Sequence, residues 1–231
     1  MKKILIIPTY NEALNISLLI EKISELKISE LDILIIDDNS PDKTANITAN
    51  LQQKFSNLFL LTRPKKQGLG SAYLLGFNWA IEHNYEVAVQ MDADFSHSPD
   101  DLIKIFEKLE NNDLIIGSRY ISSGGIIGWP ISRLILSYFG NFYARLFFGK
   151  KIKDLTGGFN AWRIDLLKKI NLETMQSDGY CFQAELKWRA LKKGARVEEL
   201  PIIFRERERG QSKMSFKIIF EAFWRIIKIR L

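Results

Sequence analysis

Apolar runs and amphipathic stretches alternate through the first half of the chain. Residues 3–7 form an apolar run, the polar sequence PTYNE follows, and Leu14, Ile16, Leu18, Leu19 and Ile23 then recur at a helical period. The same unit returns at 31–36, where a second apolar run ends in DDNSPD and leads into a helical stretch over 44–55. A third short strand at 58–61, a loop KKQGLGS, a helix over 72–83 and a fourth strand at 87–91 continue it. Strands alternating with helices predict right-handed crossovers and an α/β fold whose mainly parallel central sheet carries helices on both faces.

The second half changes character. Residues 114–116 read as a strand ending in Gly117, Ser118 and Arg119. The glycine-rich, apolar stretch 121–130 has the composition of a lid or loop, and 131–148 reads as a helix rich in Leu, Ile, Tyr and Phe. DLTGGFNAWR over 154–163 is expected to make a tight glycine corner, and 197–204 a final strand region leading into RERERGQSK. Neither an internal repeat nor a low-complexity tract is present.

Polar residues gather where the strands end. PTYNE, DDNSPD and DADFSH each follow an apolar run directly, and ligands of open α/β sheets bind at the strands' C-terminal ends. In the third, Asp92 and Asp94 flank one small residue. Burying either carboxylate without a partner would be costly, so both are expected at the mouth of a cleft. Oxygen ligands suit Mg2+ or Mn2+, with phosphate and water completing the shell, although Asp-x-Asp also occurs in solvated turns.

Other motifs admit two readings each. Tyr10 could stack on a base and Glu12 accept from ribose or base donors, or PTYNE is an ordinary turn capped by Asn11. One carboxylate of DDNSPD could meet the base or ribose, while Ser40, Pro41 and Asp42 also suit a helix start. KKQGLGS lacks the Gly-Lys-Ser/Thr ending of a phosphate loop, and no GxGxxG follows the first strand, which excludes P-loop hydrolases and dinucleotide enzymes. Lys65 and Lys66 lie near the ligand or in a solvated loop. Arg119 faces a phosphate or forms a surface pair with Asp100 or Asp113. Arg205, Arg207, Arg209 and Lys213 are either phosphate donors or a solvated charged loop. Over 216–231, Lys217, Glu221, Arg225 and Lys228 form one narrow polar stripe on an otherwise apolar helix, which points to a membrane interface or a buried packing helix.

With 231 residues and 46% hydrophobic content, the chain can fill one large core. Its formal charge of +6 points to anionic partners: nucleic acid, phosphorylated substrates or an anionic membrane. Pro8 ends the N-terminal apolar run too early for a secretory signal, and charged residues interrupt both long apolar stretches well short of the ~20 residues of a spanning helix. A cytoplasmic chain is expected. Cys181, a single cysteine, offers neither a disulfide framework nor a metal cluster and fits a reducing compartment.

Taken in order, PTYNE, DDNSPD, MDADFSH, GSRY, DLTGGF, GYCFQAE and RERGQSK resemble glycosyltransferase family 2, and within it the dolichyl or polyprenyl phosphate mannose synthases. Each motif is weak alone; their order spans nearly the whole chain. The resemblance implies a GT-A fold, a Rossmann-like nucleotide-diphospho-sugar transferase architecture. It also implies GDP-mannose as donor, Mg2+ or Mn2+ as cofactor, and a polyprenyl (dolichyl or undecaprenyl) phosphate as acceptor. Carried onto this chain, it assigns Pro8, Tyr10, Glu12, Ile36 and Asp38 to the guanosine. Asp92, Ala93 and Asp94 make the metal and diphosphate site, with Asp92 and Asp94 as metal ligands. Arg119, Arg207 and Lys213 contact phosphate groups and, with Asp94, form the catalytic set. Gln183 and Glu185 are expected to position the substrate, not to act as a base. A polyprenyl phosphate is already anionic, so inversion by a single displacement needs no strong base.

The catalytic domain is then expected over 1–213, including the 131–149 helix, with 214–231 as a membrane-interface helix. The chain would be peripheral on the cytoplasmic membrane face. Larger family members carry a C-terminal membrane domain, so interfacial binding alone or a membrane-anchoring partner protein is expected here, and no nucleic acid. Two alternatives stay open: the same fold with another donor such as UDP-glucose, and a non-catalytic peripheral membrane or nucleic-acid binding protein.

Overall fold

The computed structural model describes residues 1–175, 177, 179–206, 226, 227 and 229, with the backbone alone at 179 and 180. Seven strands form one sheet: β1 (Lys3–Thr9), β2 (Leu31–Asp37), β3 (Leu58–Thr62), β4 (Val87–Gln90), β5 (Leu114–Ser118), β7 (Asn160–Arg163) and β8 (Val197–Pro201). Their order is β3-β2-β1-β4-β7-β5-β8, and all run parallel except β7, which is antiparallel to both neighbours. The chain winds outward from β1 through β2 to β3 and then jumps back to β4 on the other side of β1. That reversal opens a crevice beyond the ends of β1 and β4, the place where such sheets take ligands.

The strands are apolar throughout because both faces are covered. Along β1, Ile4 and Ile6 enter one core while Leu5 and Ile7 enter the other. The first core lies under α3 (Leu69–Glu82) and α7 (Gly179–Lys192), the second under α1 (Ile16–Glu25) and α4 (Asp101–Leu109). Helix α3 comes so close to the sheet that a side chain at Gly76 would begin 2.6 Å from Ile6. The remaining helices are α2 (Thr44–Leu51), α5 (Ile131–Phe148) and α6 (Ile164–Lys169).

Several expectations are corrected. Helix α1 buries Ile16, Leu19, Ile20 and Ile23, whereas Leu14 and Leu18 face outward. The stretch read as a glycine corner ends in a strand: β7 wedges between β4 and β5, with Ala161 and Trp162 entering opposite cores. Four residues are too few for alternation to show beside a glycine pair. The apolar stretch 121–130 contains β6 (Gly125–Ile127), which pairs with β9 (Ile203–Arg205) in a small second sheet. Ile202 separates β8 from β9, donating its N–H to the Ser118 carbonyl at 3.1 Å. Helix α5 keeps the bounds its sequence implies, between Pro130 and Gly149, whose φ of 100° ends it. Of residues 214–231 only Ile226, Ile227 and Ile229 are described; Ile226 is buried in the first core and Ile229 packs against it. That turn of the segment rests on protein.

Candidate active site

The three loops at the crevice are shaped by left-handed residues, Asn11 after β1, Asn39 after β2 and Phe95 after β4. A bulky residue such as Phe95 adopts this conformation only where surrounding contacts enforce it. The first two loops are stapled together. The Asn11 N–H donates to Ser40 Oγ at 3.0 Å, the Glu12 N–H to Thr44 Oγ1 at 3.0 Å and the Ala13 N–H to Asp42 Oδ2 at 2.9 Å. Asp37 is fully buried and accepts from Thr9 Oγ1 at 2.9 Å and the Ser40 N–H at 2.9 Å. Asp37 and Asp42 therefore build the wall; they are not the ligand-facing acids.

Asp38 differs. It forms a buried ion pair with Arg63, which also donates to Ser71 Oγ at 2.7 Å and to the Gly68 carbonyl at 2.9 Å. This folds the KKQGLGS loop over Asp38 and brings Lys66 Nζ to 4.4 Å from the centre of the Tyr10 ring. Pro8, Tyr10, Glu12 and Asp38 thus share one wall. Ile36 reaches it through backbone only, because its side chain is fully buried in the core against Gly76. Glu12 accepts from Asn15 Nδ2 at 2.8 Å.

The 92–97 turn, which follows β4 beside β1, presents the acids. The Asp92 side chain is 34% exposed and stands 3.5 Å from His97 Nε2. Asp94 is buried, accepting from the Ser96 backbone at 3.1 Å and from the Ser96 hydroxyl, and Ala93 is buried between the two. His97 is stacked on Phe159 at 4.9 Å and meets Phe204 edge-on at 5.0 Å. Beneath the turn lies Tyr73, with its hydroxyl turned to Asp92. Burial, and then the charges of Asp92 and Asp94, raise its pKa well above the usual range, so it stays a neutral phenol. Among the described residues no group of three or more His, Cys, Asp and Glu is placed to hold a metal with protein ligands alone. Asp92 stands partly exposed as expected, whereas Asp94 lies buried behind it, held by Ser96; the two hard carboxylates fit a cation shared with substrate phosphates, as Mg2+ and Mn2+ usually are.

Arg119 lies on the floor, fixed by Asp154. Its Nε and Nη2 donate to the two carboxylate oxygens at 2.7 and 2.8 Å, and Nη2 also reaches Thr156 Oγ1 at 3.0 Å. The ion pair it makes is therefore internal, while Asp113 is held by Arg196 at 2.9 Å. Burial alone would raise the Asp154 pKa, but the Arg119 guanidinium, its hydrogen bonds and Lys187 hold it down at about 2. Glu185 is fully buried against Arg189 at 2.5 Å and the Ser177 N–H at 3.0 Å, an architectural role. Arg207 and Lys213 lie outside the described residues. Arg63, Tyr73, His97 and Lys187 were not singled out by sequence. Arg63 directly follows a strand, as Asp38 and Arg119 do, and that placement was its one signal.

The sequence pattern described as Glycosyl transferase family 2 matches residues 4–170, which hold the PTYNE and DDNSPD loops and the acidic turn. The chain belongs to glycosyltransferase family 2. It is 40% identical to an undecaprenyl-phosphate mannosyltransferase of Micrococcus luteus over 222 residues, covering 96% of this chain and 91% of that one. It is 42% identical to a polyprenol monophosphomannose synthase of Mycolicibacterium smegmatis over 227 residues, covering 97% and 85%. Among solved structures, glucosyl-3-phosphoglycerate synthase from Mycobacterium tuberculosis with UDP superposes with a TM-score of 0.69 at 14% identity, covering 99% of this chain and 79% of that one. A mannosyltransferase from Pyrobaculum calidifontis with GDP-Man and Mn2+ superposes at 0.66 with 18% identity, covering 98% and 64%. At these identities the structures establish the fold, which is GT-A. In this family 2 glycosyltransferase the crevice at the β1/β4 reversal is thus the candidate active site.

Proposed function

We propose that this glycosyltransferase moves mannose from GDP-mannose to a polyprenyl phosphate, with inversion, at a membrane surface. The observation that carries the reading is the convergence, at the β1/β4 reversal, of the stapled loops bearing Tyr10 and Asp38 with the turn bearing the partly exposed carboxylate of Asp92. The relatives named above as acting on undecaprenyl phosphate or making polyprenol monophosphomannose support the acceptor and the sugar. The neighbour holding GDP-Man and Mn2+ supports the donor and a divalent cation.

Asp92 and Asp94 would hold the cation, which when bound neutralises charge on the leaving diphosphate. Tyr10 stacks the base, while Glu12 and Asp38 accept from its donors or those of the ribose. Ser96 orients the Asp94 carboxylate, and the neutral Tyr73 phenol lies beneath the acidic turn. Arg119, held by Asp154, fixes the floor of the phosphate site, and Arg207 and Lys213 are assigned phosphate contacts. No described carboxylate is needed as a base, because the acceptor phosphate brings its own negative charge.

Helix α5 supports the lipid surface. Ile131, Ile135, Tyr138, Phe139, Phe142 and Leu146 recur on one side, and Ile131 is 75% exposed. Exposed Lys150, Lys151 and Lys153 follow at its end. A contact chain leads from this helix to the acids: Arg133 lies 3.9 Å over Trp129, Trp129 meets Phe204 at 5.2 Å, and Phe204 meets His97 beside Asp92. No helix among the described residues is long and apolar enough to cross a membrane. The catalytic unit is taken as 1–213, and since Ile226 and Ile229 pack on its core, a contact to membrane or to an anchoring partner would fall to the other residues of 214–231.

Titration calorimetry of Asp92→Ala tests the site. Mn2+-dependent GDP-mannose binding should fall at least tenfold, about 1.4 kcal/mol, with the thermal midpoint kept. Unchanged binding would remove Asp92 from the cation site.

A further inference from the structure

Four buried side chains form a relay that ends at the acidic turn. Trp162 Nε1 donates to Gln90 Oε1 at 2.9 Å. An indole N–H can only donate, so the atom facing it must be the amide oxygen. Asn160 Nδ2 donates to that same oxygen at 3.1 Å and also faces the Gly157 carbonyl at 3.1 Å, which fixes the Asn160 amide twice over. Asn160 Nδ2 also lies 3.1 Å from Gln183 Oε1, so its two hydrogens are shared among three acceptors, and Gln183 must turn its oxygen, not its nitrogen, towards that amino group. The direction of every amide therefore follows from the indole and one backbone carbonyl, and Gln183 is left with its nitrogen pointing out of the relay.

That nitrogen is buried and has no hydrogen-bond partner among the described residues. Leaving a buried donor unpaired costs about 1–3 kcal/mol, so its retention calls for a ligand. A side chain at Gly158 would begin 4.0 Å from Gln183 Nε2 and 3.9 Å from each carboxylate oxygen of Asp92. Gly158 is half-buried, unlike its buried neighbours Gly157 and Phe159, which places this shared point towards the cleft. Among the described residues Gln90 Nε2 and Asn160 Oδ1 also lack partners, but both side chains are completely buried, and Gln183 is the member of the relay placed beside Gly158.

We infer that Gln183 is a sugar-recognition residue, whose Nε2 donates to a hydroxyl of the donor's hexose in the space that Gly158 leaves open beside Asp92. A neutral hydroxyl suits the place because it accepts from the amide and tolerates the neighbouring carboxylate, which an unshielded phosphate oxygen would not. This inference rests on the glycosyl-transfer reading above. Gln90, Asn160 and Trp162 act through Gln183 and are positioning residues.

Calorimetry with Mn2+ tests it, comparing GDP-mannose with GDP, which lacks the hexose. In Gln183→Met the ratio of GDP-mannose to GDP affinity should fall about tenfold while GDP affinity stays within twofold of wild type. Gln183→Glu, which keeps an oxygen toward Asn160 and removes the donor, should lower the ratio in the same direction and guards against a packing defect in the first variant. An unchanged ratio, or equal losses for both ligands, overturns the inference. A wild type that binds UDP-glucose in place of GDP-mannose overturns the donor assignment alone, and the same ratio against UDP then tests Gln183. Binding of neither nucleotide sugar overturns both.

Discussion

Lys187 is completely buried, and its ammonium donates to the carbonyls of Asp154 at 2.9 Å and Gly157 at 2.8 Å. It thus clamps the turn that holds Arg119 on one side and Gly158 on the other. Burial pulls its pKa down from the usual 10.5 to about 7, against the opposing pull of Asp154 and Glu199. The unfolded chain binds this proton more tightly than the folded one, so stability should rise with pH between about 7 and about 10 and show no slope from this group below that window. The wild-type-minus-Lys187→Met difference in urea unfolding free energy should climb across that range by a few kcal/mol, since each step of one in pH between the two pKa values adds on the order of 1.4 kcal/mol. A difference independent of pH would mean that Lys187 titrates normally. Arg63 and Asp38 offer a second test at this scale. Arg63→Met strands a buried carboxylate and should cost about 3–5 kcal/mol, whereas adding Asp38→Leu should recover much of that loss. A double variant that loses the sum of the two single losses would show that the pair is not coupled. The motif residues were legible because polar groups directly after apolar strands stand out in a sequence. Their partners were not: nothing in RPKKQGLGS marks Arg63 for Asp38, and Tyr73 and Lys187 lie inside helical stretches whose neighbours are decided by tertiary packing.

Among the elements, α5 was read correctly from end to end because Pro130 and Gly149 bracket a long apolar run. The sequence could not say which face would be left uncovered. The structure puts Asn141, Ala144 and Phe148 inward and leaves Ile131, Ile135, Tyr138, Phe139, Phe142 and Leu146 outward. Replacing Phe139 and Phe142 together by Glu should sharply reduce co-sedimentation with anionic liposomes and leave the melting temperature nearly unchanged. Liposome binding equal to wild type would exclude this face as the membrane contact. The terminal segment 214–231, with a stronger amphipathic pattern, has Ile226 in the core, so an apolar stripe alone did not distinguish lipid-facing from protein-facing. Strand β7 escaped the sequence reading for a related reason: it is short, antiparallel and preceded by two glycines, and its place in the sheet is set by β4 and β5, which are distant along the chain.

For the whole molecule, the order β3-β2-β1-β4 fixes where chemistry can occur, since one reversal of winding gathers PTYNE, DDNSPD and DADFSH at a single crevice. Alternating strands and helices made that much readable without coordinates. The formal charge of +6 favoured anionic ligands without choosing among them. Family membership and the gathering of these loops favour a nucleotide sugar, and in the proposed function the exposed face of α5 is the surface that would meet a lipid acceptor. The most direct test is transfer itself: purified protein, Mn2+, a polyprenyl phosphate in detergent, and radiolabelled GDP-mannose or UDP-glucose supplied in parallel. The expected result is metal-dependent label in the lipid fraction from GDP-mannose, abolished by Asp92→Ala; label from UDP-glucose alone, or none from either donor, would contradict it.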